Sequence, residues 1–304
     1  MSKKKVFLHI GVPKTGTSAI QDYLVDANGI EVSVPSFIGL GKYFFGHSSV
    51  FRHFGDACDK SKIIKSIDEA ERDVVVLSDE LLSMISSPSV LKRFDSPEPP
   101  PKLKEYKENI CKDIRVVPSN IADVLSRYDL KVVFYYRNQV DSVESFWIQT
   151  LKHYHKFDFR SIKGVDKFVA QLSPRDMLES DEVDYLRYDE LYEHWAALVG
   201  GENVICRLYD RDTFPSRSAV ADFCDLTGIR HDKSLSQKMN IPRHYLEYGE
   251  INANFGSSDR GVIIRQQMPD LYQDIKKYFS ESNQRFFKII TPEERKLFMR
   301  GDDE

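Results

Sequence analysis

Four short apolar runs, each followed by a stretch with helical spacing, limit what this chain can fold into more than any other feature. They are Val6-Phe7-Leu8-His9-Ile10, Val74-Val75-Val76-Leu77, Lys131-Val132-Val133-Phe134-Tyr135-Tyr136 and Val204-Ile205-Cys206-Arg207-Leu208. Continuous β-branched runs of this length suit a parallel sheet covered on both faces. Between them, Ile20, Tyr23, Leu24 and Ala27 fall at i, i+3, i+4 and i+7, and Val143, Phe146, Trp147, Thr150 and Leu151 repeat the stripe. Leu191, Trp195, Leu198 and Val199 form a third stripe, stopped by Gly200-Gly201; Val220, Phe223 and Cys224 form a fourth, ending near Gly228. Strand–helix–strand alternation predicts right-handed crossovers and a doubly wound α/β sheet.

Two segments break the alternation. Ser96-Pro97-Glu98-Pro99-Pro100-Pro101 reads as a loop. From about Asn28 to Asp56, glycines and aromatics mark an irregular excursion of the kind that covers a ligand site. With no repeat, coiled coil or clear linker, all 304 residues are expected in one α/β domain. Its C-terminal part, about 240–300, is expected to be helical, and the tail Arg300-Gly301-Asp302-Asp303-Glu304 to be frayed.

Charge narrows the function. Lys and Arg number 43 against 47 Asp and Glu, a net charge of -4. That excludes a dedicated nucleic-acid binder, which needs a basic excess, yet leaves room for a small phosphorylated ligand held by a few local cations. Cys58, Cys111, Cys206 and Cys224 make no CxxC or Cys/His cluster, so they read as reduced, mostly buried thiols with no zinc site. No apolar run reaches the length of a signal-peptide core or a membrane span, which sets the expectation of a cytoplasmic, unanchored protein.

The chemistry begins where the first strand ends, in Gly11-Val12-Pro13-Lys14-Thr15-Gly16-Thr17-Ser18 followed by a helix. Strand, glycine-bounded loop and helix start form the context in which backbone N–H groups converge on an anion. Gly11, Gly16 and Ser18 match the nucleotide-binding pattern Gly-x-x-x-x-Gly-Lys-Ser/Thr, but position 17 is Thr and the lysine is Lys14, inside the loop. An NTPase needs that lysine on the β/γ-phosphates. The expected ligand is therefore anionic without being an ordinary NTP–Mg²⁺ complex.

The run Pro13, Lys14, Thr15, Gly16, Thr17, Ser18 resembles the phosphosulfate loop of sulfotransferases that use 3′-phosphoadenylyl sulfate (PAPS). The resemblance implies a three-layer P-loop-type fold, a central parallel sheet flanked by helices. It also implies that these six residues cradle the 5′-phosphosulfate, with Lys14 on the bridging oxygen and sulfuryl group. A second motif follows in the family's order. Arg137 comes directly after the third run, and Ser145 lies eight residues on, on a helical face with Asp141, Ser142 and Gln149. Arg can offer phosphate two parallel N–H bonds. By the resemblance, Arg137 and Ser145 hold the 3′-phosphate, so one nucleotide is gripped by Lys14 at one end and Arg137 at the other. Ser257-Ser258-Asp259-Arg260-Gly261 takes the place of the family's late cofactor loop, which makes Arg260 and Gly261 cofactor contacts, although the usual Arg-Lys-Gly is absent.

The acceptor side lies in Ser78-Asp79-Glu80, just past the second run. Carbohydrate sulfotransferases often carry a catalytic Glu in a Ser-x-Glu context, and Glu80 leads as general base. Asp79 next to it, and His47 or His53 on the excursion, are the alternatives. A carboxylate favoured by a helix N-terminus would explain Glu80 without catalysis. Tyr209 and Arg211 are further site candidates, and His9 reads as a satisfied core residue. Tyr43, Phe44, Phe45, Trp147 and Tyr154 either stack on sugar rings or fill core. The implied reaction moves a sulfuryl group from PAPS to an acceptor hydroxyl, or less readily an amine, and leaves 3′-phosphoadenosine 5′-phosphate (PAP). A carbohydrate or glycolipid acceptor follows by analogy alone, and the scheme calls for no metal. Two other classes stay open: a P-loop kinase or NTPase, and a catalytically silent module that binds a nucleotide or glycan. Oligomeric state is not fixed by any of these residues.

Overall fold

The computed structural model describes residues 3–27, 37–39, 60–70, 73–92, 113, 115–156, 174–179, 183–234, 262–300 and 302. Each of the four apolar runs becomes a strand. The elements run β1 (Lys5–His9), α1 (Thr17–Ala27), β2 (Phe37–Gly39), α2 (Lys60–Asp68), β3 (Val74–Ser78), α3 (Leu81–Ile85), α4 (Pro88–Lys92), α5 (Val116–Leu125) and β4 (Asp129–Tyr136). There follow α6 (Gln139–Lys156), α7 (Pro174–Glu179), α8 (Tyr188–Val199), β5 (Val204–Leu208), α9 (Ala219–Thr227), α10 (Val262–Gln267), α11 (Pro269–Phe286) and α12 (Pro292–Phe298). β2 falls in the stretch read as irregular; its three residues are too few to carry a strand period.

The fold is α/β, a central parallel sheet flanked by helices, with strand order β2-β3-β1-β4-β5. The chain divides into two compact units, Met1–Tyr136 with Glu190–Ile241, and Arg137–Asp189 with Pro242–Glu304. The first unit holds the sheet. On one face Phe7, Val76, Val133 and Tyr135 pack with Ile20, Tyr23 and Leu24 of α1 and Val220, Phe223 and Cys224 of α9. Strand alternation sends Val6, Leu8, Val75, Leu77, Val132 and Phe134 to the other face, and all are fully buried. Both faces are thus covered, at about 1.5–3 kcal/mol for each large side chain removed from water. Glycines end the helices where the spacing stopped: Gly200 follows α8 at φ 86 and Gly228 caps α9 at φ 74.

In the second unit, Tyr188 packs against Phe286 at 5.5 Å between ring centroids, and Val140, Val143, Trp147, Ile264, Ile275 and Phe279 are buried. Gln139 and Asn283 exchange amide hydrogen bonds of 2.6 and 3.2 Å. α12 starts from a reciprocal Thr291–Glu294 capping box. Among the described residues no helix is long and apolar enough to cross a membrane.

Candidate functional site

Parallel pairing brings three strand ends to one sheet edge. His9 lies beside Ser78 of β3 and beside Val133 of β4. From β1 the chain goes to β2 and β3 on one side, and from β4 to β5 on the other. The carboxyl ends of β1 and β4 therefore flank the point where strand order reverses, which is where open α/β sheets take ligands.

The 11–16 loop leaves β1 at that point. Lys14 and Gly16 both have positive φ, 70° and 80°. The left-handed region suits glycine; for lysine it costs about 1–2 kcal/mol and persists only where the surroundings impose it. Thr15 Oγ1 and Thr17 Oγ1 impose it by donating to one carbonyl, that of Val12, at 2.7 and 3.2 Å. Both hydroxyls thus serve the loop's own backbone. A Cβ at Gly11 would overlap the Thr17 side chain, and one at Gly16 would lie 3.0 Å from the Tyr209 ring and 3.1 Å from Ala219 Cβ. Pro13 is buried, Lys14 half-buried and Ser18 exposed. The Ile20 amide donates to the Gly16 carbonyl at 3.1 Å. The amides of Thr17, Ser18 and Ala19 precede that first helical bond, so they are the donors an anion would meet.

Glu80 stands at the start of α3, with φ -70 and ψ -28, and its side chain makes no capping hydrogen bond. Glu80 therefore sits where a helix N-terminus favours a carboxylate, without capping the helix through its side chain. Glu80 is half-buried, and burial pushes its carboxyl up to about 7 while the Lys14 ammonium pulls it down. The loop cation and the edge carboxylate are electrostatic neighbours. Asp79 is buried, and its amide donates to the His9 carbonyl at 3.0 Å. His9 is fully buried, with Nδ1 2.8 Å from Ser78 Oγ, and burial pushes it down to about 3. It is a neutral core histidine whose Nε2 has no partner among the described residues. Tyr209 reaches the loop at Gly16, and its hydroxyl accepts from Arg211 Nε at 3.3 Å.

In the second unit Arg137 is buried at the residue after β4. Its amide donates to Tyr188 Oη at 3.3 Å, and Tyr188 Oη donates to the Arg137 carbonyl at 2.9 Å. Arg137 Nε lies 3.8 Å from Asp141 Oδ2, and Arg265 Nη1 lies 2.7 Å from Asp141 Oδ1. Burial pushes Asp141 up to about 6 against the pull of both guanidiniums. Arg265 also reaches Asp302 at 3.4 Å. Ser145, on the same helix, is half-buried. The helical face read as polar is partly interior: Ser142 and Glu144 are fully buried, and Glu144 accepts from the Ile264 amide at 2.7 Å. Trp147 is buried and fills core. Arg265 and Asp302 were not singled out from sequence. Asp141 and Arg265 stand 124 positions apart, and no local pattern links them.

His47, His53, Arg260 and Gly261 lie outside the described residues, as do Tyr43, Phe44, Phe45, Cys58, Cys111, the Ser96–Pro101 loop and the side chain of Tyr154. Apart from 37–39, so does the 28–56 excursion. Cys206 and Cys224 are free thiols. Among the described residues, no three His, Cys, Asp or Glu side chains group as metal ligands would.

No protein-family model matches the chain, and no curated protein matches it. Among solved structures it is similar to the crystal structure of a sulfotransferase from Alicyclobacillus acidocaldarius. That match has 13% identity and a TM-score of 0.41, and covers 82% of this chain and 94% of that one.

Proposed function

We propose that this chain is a sulfotransferase that moves a sulfuryl group from PAPS to an acceptor hydroxyl. The observation that carries the reading is the loop after β1, turned by positive φ at Lys14 and Gly16 so that it opens onto a helix start at the switch point of the sheet. The loop amides and Lys14 receive the 5′-phosphosulfate. The acceptor oxygen attacks sulfur in line with the departing phosphate oxygen: one S–O bond forms, the other breaks, and PAP leaves with the electron pair. Lys14 offsets the charge that collects on the sulfuryl group and leaving phosphate. The acceptor's proton passes to the Glu80 carboxylate. A carboxyl raised to about 7 suits that task, ionised near neutral pH yet basic enough to take a proton. Arg137 and Ser145 take the 3′-phosphate and fix the donor's register. The acceptor class, a carbohydrate or glycolipid hydroxyl, is taken from the resemblance of the Glu80 segment.

Calorimetric titration with PAP, with ATP–Mg²⁺ as control, tests the donor. PAP binding without ATP–Mg²⁺ binding is expected; the opposite preference would return the chain to the kinase or NTPase class. Transfer of label from radiolabelled PAPS to a panel of sugars, lost in Lys14→Ala, separates an enzyme from a silent binding module.

A further inference from the structure

Two buried serines link the Lys14 turn to Glu80. Ser83, in the first turn of α3, is fully buried. Its hydroxyl donates to the carbonyl of Gly11, where the loop begins, at 2.8 Å and to that of Glu80 at 2.9 Å. One proton shared between two carbonyls thus ties the first residue of the loop to the peptide of the edge carboxylate. Ser78, the last residue of β3, ties the stems. Its Oγ lies 2.8 Å from Nδ1 of His9, in the strand that enters the loop. It also accepts from Nε2 of Gln21, in the helix that leaves it, at 3.0 Å. His9, Gln21 and Ser78 are all buried, so water cannot replace either bond. With His9 Nδ1 as acceptor, the Ser78 proton and a lone pair are both used.

We infer that Ser78 and Ser83 are positioning residues that together set the spacing between the Lys14 turn and the Glu80 carboxyl. What that spacing serves, charge and proton handling in sulfuryl transfer, rests on the function proposed above; the spacing itself does not. A merely structural pair would lower stability when truncated and leave the electrostatic coupling of Lys14 to Glu80 as it was.

The test measures that coupling without nucleotide. With isotope-labelled glutamate carboxyls, and Glu80→Gln to assign the signal, the Glu80 midpoint is followed by NMR. The chains compared are wild type, Lys14→Met, each Ser→Ala variant, and each of these combined with Lys14→Met. Lys14→Met is expected to raise the midpoint in the otherwise unchanged chain, because the ammonium pulls it down. In Ser83→Ala and Ser78→Ala the same rise should shrink to roughly half or less, and Ser78→Thr, which keeps the hydroxyl, should restore it. An undiminished rise in both Ala variants overturns the inference. Should Ser78→Ala fail to fold, Gln21→Leu, which removes one bond from the Ser78 hydroxyl, stands in for it; should Ser83→Ala fail to fold, the Ser78 arm alone decides: a smaller rise supports the brace and an undiminished one overturns it. Failure of PAP to bind bears on the proposed function alone, and failure of the coupling test bears on the serines alone.

Discussion

Burial and the Lys14 ammonium act on the Glu80 carboxyl in opposite directions, and burial wins. The folded-state value, about 7, stands above the ordinary 4.5, so the native state holds the proton longer than the unfolded chain. Stability is therefore lost as pH rises between those two values. The whole difference amounts to about 3 kcal/mol at most. Glu80→Gln removes the carboxylate that must be desolvated. In urea unfolding it should be more stable than wild type near pH 8, by about 1–3 kcal/mol, and equal to it near pH 4.5. Equal stability at both would mean that the carboxylate is well solvated after all. On the proposed function, the same titration should set activity. Sulfuryl transfer should rise with pH through about 7 as Glu80 ionises, and Glu80→Gln should flatten that limb. Lys14→Ala is expected to cut turnover by about two to three orders of magnitude with the circular dichroism spectrum unchanged. Turnover at the wild-type level would remove Lys14 from the chemistry.

The loop holds its turn because two of its side chains are committed to its own backbone. Thr15 and Thr17 share the Val12 carbonyl, and the Thr17 side chain occupies the space beside Gly11. Gly16→Ala meets a positive φ and two neighbours near 3 Å, the Tyr209 ring and Ala219 Cβ. It should cost about 1–2 kcal/mol in thermal unfolding and weaken PAP binding about tenfold or more. Affinity kept at the wild-type level would show that the loop's turn is not what meets the ligand. Much of this element was legible in the sequence. A β-branched run, a glycine-bounded loop and an apolar stripe at helical spacing are local signals, and β1, α1 and the 11–16 loop follow from them. β2 was not legible, since three residues carry no period. The alternation also predicted parallel strands without their order, and the order is what sets β3, and with it Glu80, next to β1. Ser83 and Gly11 stand 72 positions apart, Ser78 and Gln21 57. Contacts of that span arise from packing, so no local pattern in the sequence marks either serine as a brace.

With a net charge of -4, the molecule as a whole gives an anionic donor no general attraction, so affinity must come from a few placed cations. Lys14 and Glu80 belong to one compact unit, and Arg137 and Ser145 to the other. If one nucleotide draws on both, its two anionic ends should respond to different substitutions. AMP lacks the 3′-phosphate, so the ratio of PAP to AMP affinity isolates that group. Arg137→Ala should weaken PAP by about 10- to 100-fold, the worth of a charge-assisted pair, and leave AMP nearly unchanged. Lys14→Ala should weaken both and leave the ratio alone. Arg137 also faces Asp141, so its removal leaves that half-buried carboxylate to Arg265. Arg137→Lys keeps the charge and loses the two-pronged geometry, and it should fall between wild type and Arg137→Ala in the PAP-to-AMP ratio. Raising salt should erode PAP affinity more steeply in wild type than in Arg137→Ala, because one fewer ion pair is left to screen. Equal losses for PAP and AMP in Arg137→Ala, measured by calorimetry at one salt concentration, would take the 3′-phosphate away from Arg137 and leave its buried guanidinium with a purely structural part.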